Sequence, residues 1–329
     1  MQIPVVIHHS GNQPYLVNCV ELNSKNNFVY LLGDDTNRSL FDQNKSVQHV
    51  DVAHLKSAEL DDFKHHFTNH STNSSEFERL CFERIFILRE FILRTGIDPV
   101  FYVDSDCIVL DSVSRIFEKS GAGRCGLSIQ TVRNPHHMVA CVHNSLLTLE
   151  FCEAFIQLCF DIYINKSKFQ LIEPKIEWHR RMRRGGGICD MTLYHLLHEH
   201  QLVPQLIDLN EPQLINHEWC VFDHNLSDRY GYLGENTYVA PMGTKSVMKR
   251  DGRFYLKTRS DASKGGLYPT EGNRPFKTVR ALSLHFQGSK KRYLEAIDTD
   301  RFFSEESSPL PLFREPSIAE LLARWIGGR

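Results

Sequence analysis

In VFYVDSDCIVL, residues 100–110, two aspartates one residue apart interrupt two apolar runs. Side chains alternate along a strand, so Asp104 and Asp106 are expected on one side of it, a few ångströms apart. Carboxylates that close repel each other unless a proton or a cation lies between them. Mg²⁺ and Mn²⁺ prefer oxygen ligands and keep open positions for phosphate oxygens, so a phosphate-bearing substrate is the natural third party. Two solvated turn residues are the alternative, and the apolar residues on both sides argue against it. A second segment, RALSLHFQGSKKRYL (280–294), carries His285 out of a strand-like run to a turn holding Gly288 and Lys291. An imidazole can complete a metal's coordination, a lysine can neutralise phosphate, and a glycine lets backbone approach it. Alone, His285 reads more readily as a structural histidine than as a ligand.

The elements needed to position these groups are legible upstream. IPVVI (3–7), a GNQP turn, the helical PYLVNCVELNSKN and FVYLL (28–32) form a βαβ unit, and SVQHVDV (46–52) is expected as a third strand. After the polar HHFTNHSTNSS (65–75), Ser75 and Glu78 read as a capping box. They open an amphipathic helix, EFERLCFERIFILREFILRT, which Gly96 and Pro99 end. VFYV then runs into Asp104, so the aspartates are expected just beyond a strand's carboxyl end, where an open α/β sheet holds its ligands. Further on, SVSRIFEKS reads as a short helix, and residues 145–162 and 189–200 as helices flanking the basic loop HRRMRRGGG. Beyond about residue 210 the pattern is less regular, with strand-like YVAP, RFYLK and RALSLHF. The tail SSPLPLFREPSIAELLARWIGG combines a Pro-rich connector with a short helix, capped by Ser317 and Glu320 and showing Trp325 on its apolar side.

HFQGSKK matches the H-x-x-G-x-x-K pattern near the end of the glycogenin-type family 8 glycosyltransferases, and DSD after an apolar strand resembles the D-x-D of GT-A-fold glycosyltransferases and their bacterial relatives. The resemblance implies an α/β fold with a mixed central sheet flanked by helices, and a carboxy-terminal extension. It implies that Asp104, Asp106 and His285 bind Mn²⁺ or Mg²⁺ on a nucleotide-sugar diphosphate, with Lys291 and Gly288 contacting that diphosphate and Asp106 serving catalysis. His8, Asp34 and Ser105 join the donor side, with Gly33 and Asp35 near the base or ribose. An arginine on the helix before D-x-D is also implied; Arg84 is the choice, Arg79 and Arg89 its rivals, and pairing with Glu83 or Glu90 the plainer explanation. GGGICDMTLYHLL (185–197) resembles a glycine-rich turn leading to an acceptor-side acid, which makes Asp190 the residue that binds the attacking hydroxyl or takes its proton. Helix capping alone would also explain Asp190. Two departures from family 8 stand out: no Pro-Trp follows Lys291, and ACVHNSLLTLEF replaces the expected Asn-Ala-Gly segment. The expected layout is a transferase domain over 1–300, nucleotide-binding in 1–110 and acceptor-binding in 111–300, with an extension over 301–329. UDP-sugar is the favoured donor and GDP-sugar the alternative; a glycan or lipid-linked hydroxyl is the acceptor.

Other chemistry competes. LLGDDTN resembles an acidic loop of haloacid-dehalogenase phosphatases and VDSDCI their nucleophile motif, but the two stand in reversed order; a catalytically inactive sugar-nucleotide-binding module is a third reading. His195, His198 and His200 lack the HExxH spacing of a zinc site. HRRMRRGGG could attract an anionic acceptor or membrane headgroups, or be a solvated loop. Across 329 residues, 38 Lys and Arg balance 40 Asp and Glu, so no global field draws the chain to nucleic acid. Nine irregularly spaced cysteines without a CxxC pair read as reduced thiols. With no signal-like amino terminus and no membrane-spanning run, the expectation is a cytoplasmic protein, with peripheral membrane contact left open.

Overall fold

Val5 and Ile7 point to one side of the first strand and Val6 to the other, and each side has its own apolar core. That pattern requires helices on both faces of a sheet, and the chain supplies them. The computed structural model describes residues 2–120, 125–129, 136–210, 213–222, 238–239, 247–250, 252–258 and 278–304. In chain order its first half holds β1 (Val5–His8), α1 (Pro14–Ser24), β2 (Val29–Gly33), β3 (Val47–Asp51), α2 (Ala58–His66), α3 (Ser75–Thr95), β4 (Val100–Val103) and β5 (Cys107–Val109). There follow α4 (Val113–Ser120), β6 (Gly126–Ile129), β7 (Ala140–Leu147), α5 (Leu149–Cys159), α6 (Glu173–Met182), α7 (Asp190–Glu199) and β8 (Ile207–Asp208).

The central sheet has seven strands in the order β3-β2-β1-β4-β7-β6-β8. The first four are parallel, β7 runs antiparallel to β4, and β6 antiparallel to β7, giving a mixed α/β sheet flanked by helices. The α1 face is filled by Leu16, Cys19 and Val20 against Val5, Ile7, Phe101 and Val103. The α3 face is filled by Phe82, Ile85, Phe86 and Phe91 against Val6, Val100 and Tyr102. Each such side chain contributes about 1.5–3 kcal/mol when fully buried.

Downstream lie β9 (Gln213–Ile215), β10 (Glu218–Val221), β11 (Tyr238–Val239), β12 (Val247–Arg250), β13 (Arg253–Thr258) and β14 (Thr278–Ala281), joined in a second sheet of six strands. β15 (Ser283–His285) pairs instead with β5, and α8 (Lys291–Glu295) closes the described fold. The tail helix expected around Trp325 lies outside the described residues. Among those described, no helix is long and apolar enough to cross a membrane.

Three local expectations change. The cap of α3 is Ser74, whose side chain accepts from the Phe77 N–H, while Asn73 rather than a capping box takes the Glu78 carboxylate. The helix expected over 145–162 begins only at Leu149, capped by Thr148, and passes into a π-helical turn at Phe160–Ile164. Residues 140–147 form a strand buried along nearly its whole length, His143, Asn144 and Ser145 included, so Ser145 to Leu147, expected as helix, are the end of this strand and show no polar alternation to mark it. The basic segment is not all loop: His179 to Met182 belong to α6, and only from Arg183, in the left-handed conformation, does the chain leave it.

Candidate active site

Asp104 and Asp106 come together through a turn rather than by alternation along one strand. The Cys107 N–H donates to the Asp104 carbonyl at 2.9 Å, and β5 then leaves the central sheet. A strand leaving a sheet must find new partners for its backbone. On one side β15 supplies them, with His285 opposite Cys107. On the other, fully buried Asn23 of α1 donates to the Cys107 carbonyl at 2.9 Å and accepts from the Val109 N–H at 2.9 Å. The ladder between β5 and β15 therefore delivers His285 to the aspartates across 179 residues of chain.

The donor atoms of Asp104, Asp106 and His285 all lie within 4.8 Å of one another, the one such group among the described residues. Neighbouring ligands on an octahedral ion with bonds of about 2.1 Å stand ~3 Å apart, and opposite ones ~4 Å. The 3.2 Å between His285 Nε2 and Asp106 Oδ1 fits the first spacing. Two carboxylates and an imidazole, with open space beside them, fit Mn²⁺ or Mg²⁺. His195, His198 and His200 form no comparable group among the described residues.

Each aspartate also has a cation. Lys291 Nζ lies 3.2 Å from Asp106 Oδ2 and 4.9 Å from the centre of the Tyr15 ring. Asn18 of α1 ties down the end of Lys291's helix through the Leu294 and Ile297 carbonyls at 2.8 and 3.1 Å. Gly288, at φ +61, makes the left-handed turn that starts this segment. Burial alone would raise the Asp106 carboxyl, but the charges and hydrogen bonds of His285 and Lys291 outweigh it and hold it well below the usual range. Arg84 donates to Asp104 Oδ1 at 2.8 Å and approaches Asp190 Oδ2 at 3.4 Å. Of the three arginines considered on α3, Arg84 faces the site, whereas Arg79 pairs with Glu83 and Arg89 with Glu59 and Glu90.

Asp190 is the first residue of α7, and the cap is Cys189, reciprocated by Thr192. Capping therefore does not account for it. Burial, assisted by Glu78 and Asp104, pushes its carboxyl from 3.8 up to about 6 against the opposing pull of Arg84 and the Met191 N–H. The glycine run before it is shaped by its neighbour. Gly187, at φ +139, lies against the 70–72 loop, where an added Cβ would stand 2.1 Å from the His70 carbonyl oxygen. Gly187→Ala is accordingly expected to cost about 2 kcal/mol or more, read as a thermal midpoint lowered by roughly 3 °C or more; an unchanged midpoint would show that the loop yields freely.

Of the residues expected on a donor side, His8 stands at the end of β1 with its pKa lowered to about 4, first by loss of water and then by Arg84 and His9. Its neighbour His9, which the sequence did not single out, holds Ser105 Oγ at 2.8 Å and packs edge-on to Tyr15. Both Asp34 oxygens are engaged, Oδ2 with the Gly11 N–H and Oδ1 with Thr36, so this residue shapes the loop after β1. Gly33 leaves room for Asn37, which its own Cβ would strike.

A cavity of about 520 Å³ opens beside Asp104 and His285 and runs to Asp190, Trp178 and Arg184. Two of its residues, His143 and Lys175, gave no signal in the sequence, and a third, Glu78, was legible only as a helix-start residue. His143 of β7 stacks on His285 at 4.3 Å between ring centres. Glu78 is buried against Asn73. Buried Lys175 donates to the His137 carbonyl and to Thr192 Oγ1, at 2.7 and 2.8 Å. The cavity thiols are poor nucleophiles, because burial pushes Cys81 up to about 12 and Cys189 up to about 11.

No family model matches the chain, and no curated protein matches it by sequence. Among solved structures, apo mouse xyloside xylosyltransferase 1 is similar over 70% of this chain and 91% of its own, at 13% identity and TM-score 0.42. The PaToxG glycosyltransferase is similar over 60% of this chain and 70% of its own, at 12% identity and TM-score 0.32. At these values the likeness carries no weight for function, which has to come from the side chains themselves.

Proposed function

We propose that the protein is a metal-dependent glycosyltransferase of GT-A type, moving a sugar from a nucleotide-diphosphate sugar to a hydroxyl of a glycan or lipid-linked acceptor. UDP-sugar is the favoured donor and GDP-sugar the alternative. The observation that carries this reading is the convergence of Asp104, Asp106 and His285, with Lys291 beside them, at the carboxyl ends of β1 and β4.

Asp104, Asp106 and His285 would hold Mn²⁺ or Mg²⁺, which when bound stabilises the negative charge that develops on a departing diphosphate. Lys291 supplies a second positive charge to the same phosphates, with its stem packed over Tyr15. Arg84 fixes the orientation of Asp104 by holding Oδ1. Gly288 and Ser105 border the diphosphate, and His8, His9 and the Asp34 loop line the nucleotide side. Asp190 binds the acceptor hydroxyl; in an inverting reaction it takes the hydroxyl proton as the anomeric carbon exchanges its diphosphate oxygen for the acceptor oxygen. Residues 1–110 then serve the donor, 111–300 the acceptor, and 301–329 extend the domain.

The test is incubation with Mn²⁺ and a panel of nucleotide sugars while free UDP or GDP is measured. Metal-dependent release from one donor is the expected result. Inorganic phosphate released from a generic monoester would identify a phosphatase, and nucleotide binding without turnover a binding module; either outcome removes the transferase reading.

A further inference from the structure

The wall of the cavity built from α6 is basic beyond what its own helix needs. Carbonyls at a helix end attract one or two cations, and Arg180 already has Glu177 at 3.0 Å. Arg181, Arg183 and Arg184 are exposed, and among the described residues no carboxylate pairs with any of them. Arg183, at φ +49, turns the chain off α6, and Arg184 then lies in the cavity lining with its guanidinium 5.9 Å from the centre of the Trp178 ring. The carboxylates of this cavity are already engaged: Asp104 and Asp190 by Arg84, Glu78 by Asn73. The α6 side adds Lys175, His179 and Arg184 and no acid. Phe77, 55% exposed, lines the same cavity and offers a ring face of the kind sugars stack on.

We infer that the acceptor is an acidic glycan, one bearing carboxylate or phosphate groups, seated with an anionic substituent on Arg184 at the cavity lining, its chain leaving past the exposed Arg181 and Arg183, and its reacting hydroxyl toward Asp190. This rests on the glycosyl-transfer reading. Arginine forks match carboxylate and phosphate geometry, so Arg184 in the lining, with two further exposed arginines within three residues of it, favours a charged over a neutral chain of the same length. The donor diphosphate does not account for these arginines, because Lys291 and the metal ligands serve it from another part of the site.

The probes are a galacturonate hexamer and a phosphorylated mannose oligosaccharide, each beside its methyl-esterified or dephosphorylated counterpart. They are titrated into the full chain with Mn²⁺ present and followed by tryptophan fluorescence. At least one acidic probe should bind about tenfold or more tightly than its neutral counterpart, weaken as salt rises, and lose about tenfold in R181Q/R183Q/R184Q. Which probe binds tells carboxylate from phosphate recognition. Equal binding of charged and neutral probes, an unaffected triple variant, displacement of the acidic probe by UDP, or binding to anionic phospholipid vesicles alone would each overturn the inference. Its failure is distinct from that of the transferase reading: a wild-type protein that binds UDP with Mn²⁺ but no acidic probe loses only this inference, and one that binds the probe but no nucleotide loses the donor site.

Discussion

Asp106→Asn is expected to abolish metal-dependent release of nucleotide diphosphate, by about 10² to 10³-fold, the usual cost of removing a group that stabilises charge in a transition state. The same change should destabilise the fold. Asp106 is 5% exposed, and its two oxygens face His285 and Lys291 at 3.2 Å. An asparagine keeps one acceptor and turns an N–H₂ toward His285 or the part-exposed Lys291 ammonium, a loss of charge-assisted hydrogen bonding worth about 2 kcal/mol. The pH dependence follows from a carboxyl whose folded pKa lies below its ordinary 3.8. Asp106 contributes stability above about pH 4 and loses it as pH falls through the folded value, so the deficit of the variant should shrink in acid. Urea unfolding at both pH values, alongside Mn²⁺ titration and product assays, checks both halves. Wild-type turnover and Mn²⁺ affinity in Asp106→Asn would remove the metal site from the mechanism.

Asp190→Asn should separate activity from stability in the opposite direction. Below about pH 4 Asp190 is protonated whether the chain is folded or not, and it costs nothing. As pH rises toward and through its folded value of about 6, the native state must ionise a carboxyl that burial resists, and stability falls. The asparagine variant escapes that cost, so near pH 7.5 it should be more stable than wild type by about 2 to 3 kcal/mol, with the difference vanishing near pH 4. Its transfer rate should fall by about 10² to 10⁴-fold, and the acid limb of the pH–rate profile near pH 6 should disappear. A variant less stable at pH 7.5, or one that keeps the acid limb, would take Asp190 out of the acceptor site. Two buried aspartates of one site thus differ in sign, because Asp106 has two close basic partners and Asp190 has a shared arginine at 3.4 Å.

The residues that announced themselves in the sequence were those whose chemistry is written in local spacing. Asp104 and Asp106 stood out because a strand ended on them, and the glycine and lysine after His285 because a turn followed a strand. The α3 helix was legible from its period, yet the choice of Ser75 over Ser74 as its cap was one residue out, since adjacent serines offer the same hydroxyl. His143 and Lys175 were invisible for a different reason: each becomes significant only through a neighbour brought up by the fold, His285 and Thr192 respectively. Glu78 was legible as a helix-start residue but not as a buried acid held by Asn73. Asn23 is similar, a residue in the last turn of α1 whose side chain does the work of a missing strand partner for β5. The last three residues of β7, Ser145 to Leu147, read as the start of the following helix because the strand is buried nearly throughout and runs almost directly into it.

The glycine run that meets the 70–72 loop also fixes when the site can form. Gly186 and Thr72 are 114 residues apart in the chain, yet the Thr72 N–H bonds the Gly186 carbonyl and the Gly186 N–H the Thr72 hydroxyl. Ile188 N–H completes the seam on the His70 carbonyl at 3.0 Å. Closing so long a loop costs entropy before any contact repays it. During refolding the parallel strands built from β1 to β4 should therefore gain amide protection first, and Thr72 and Ile188 last. The sheet that carries Asp104 forms early, and the wall of the cavity opposite it is added only when α6 and α7 have docked.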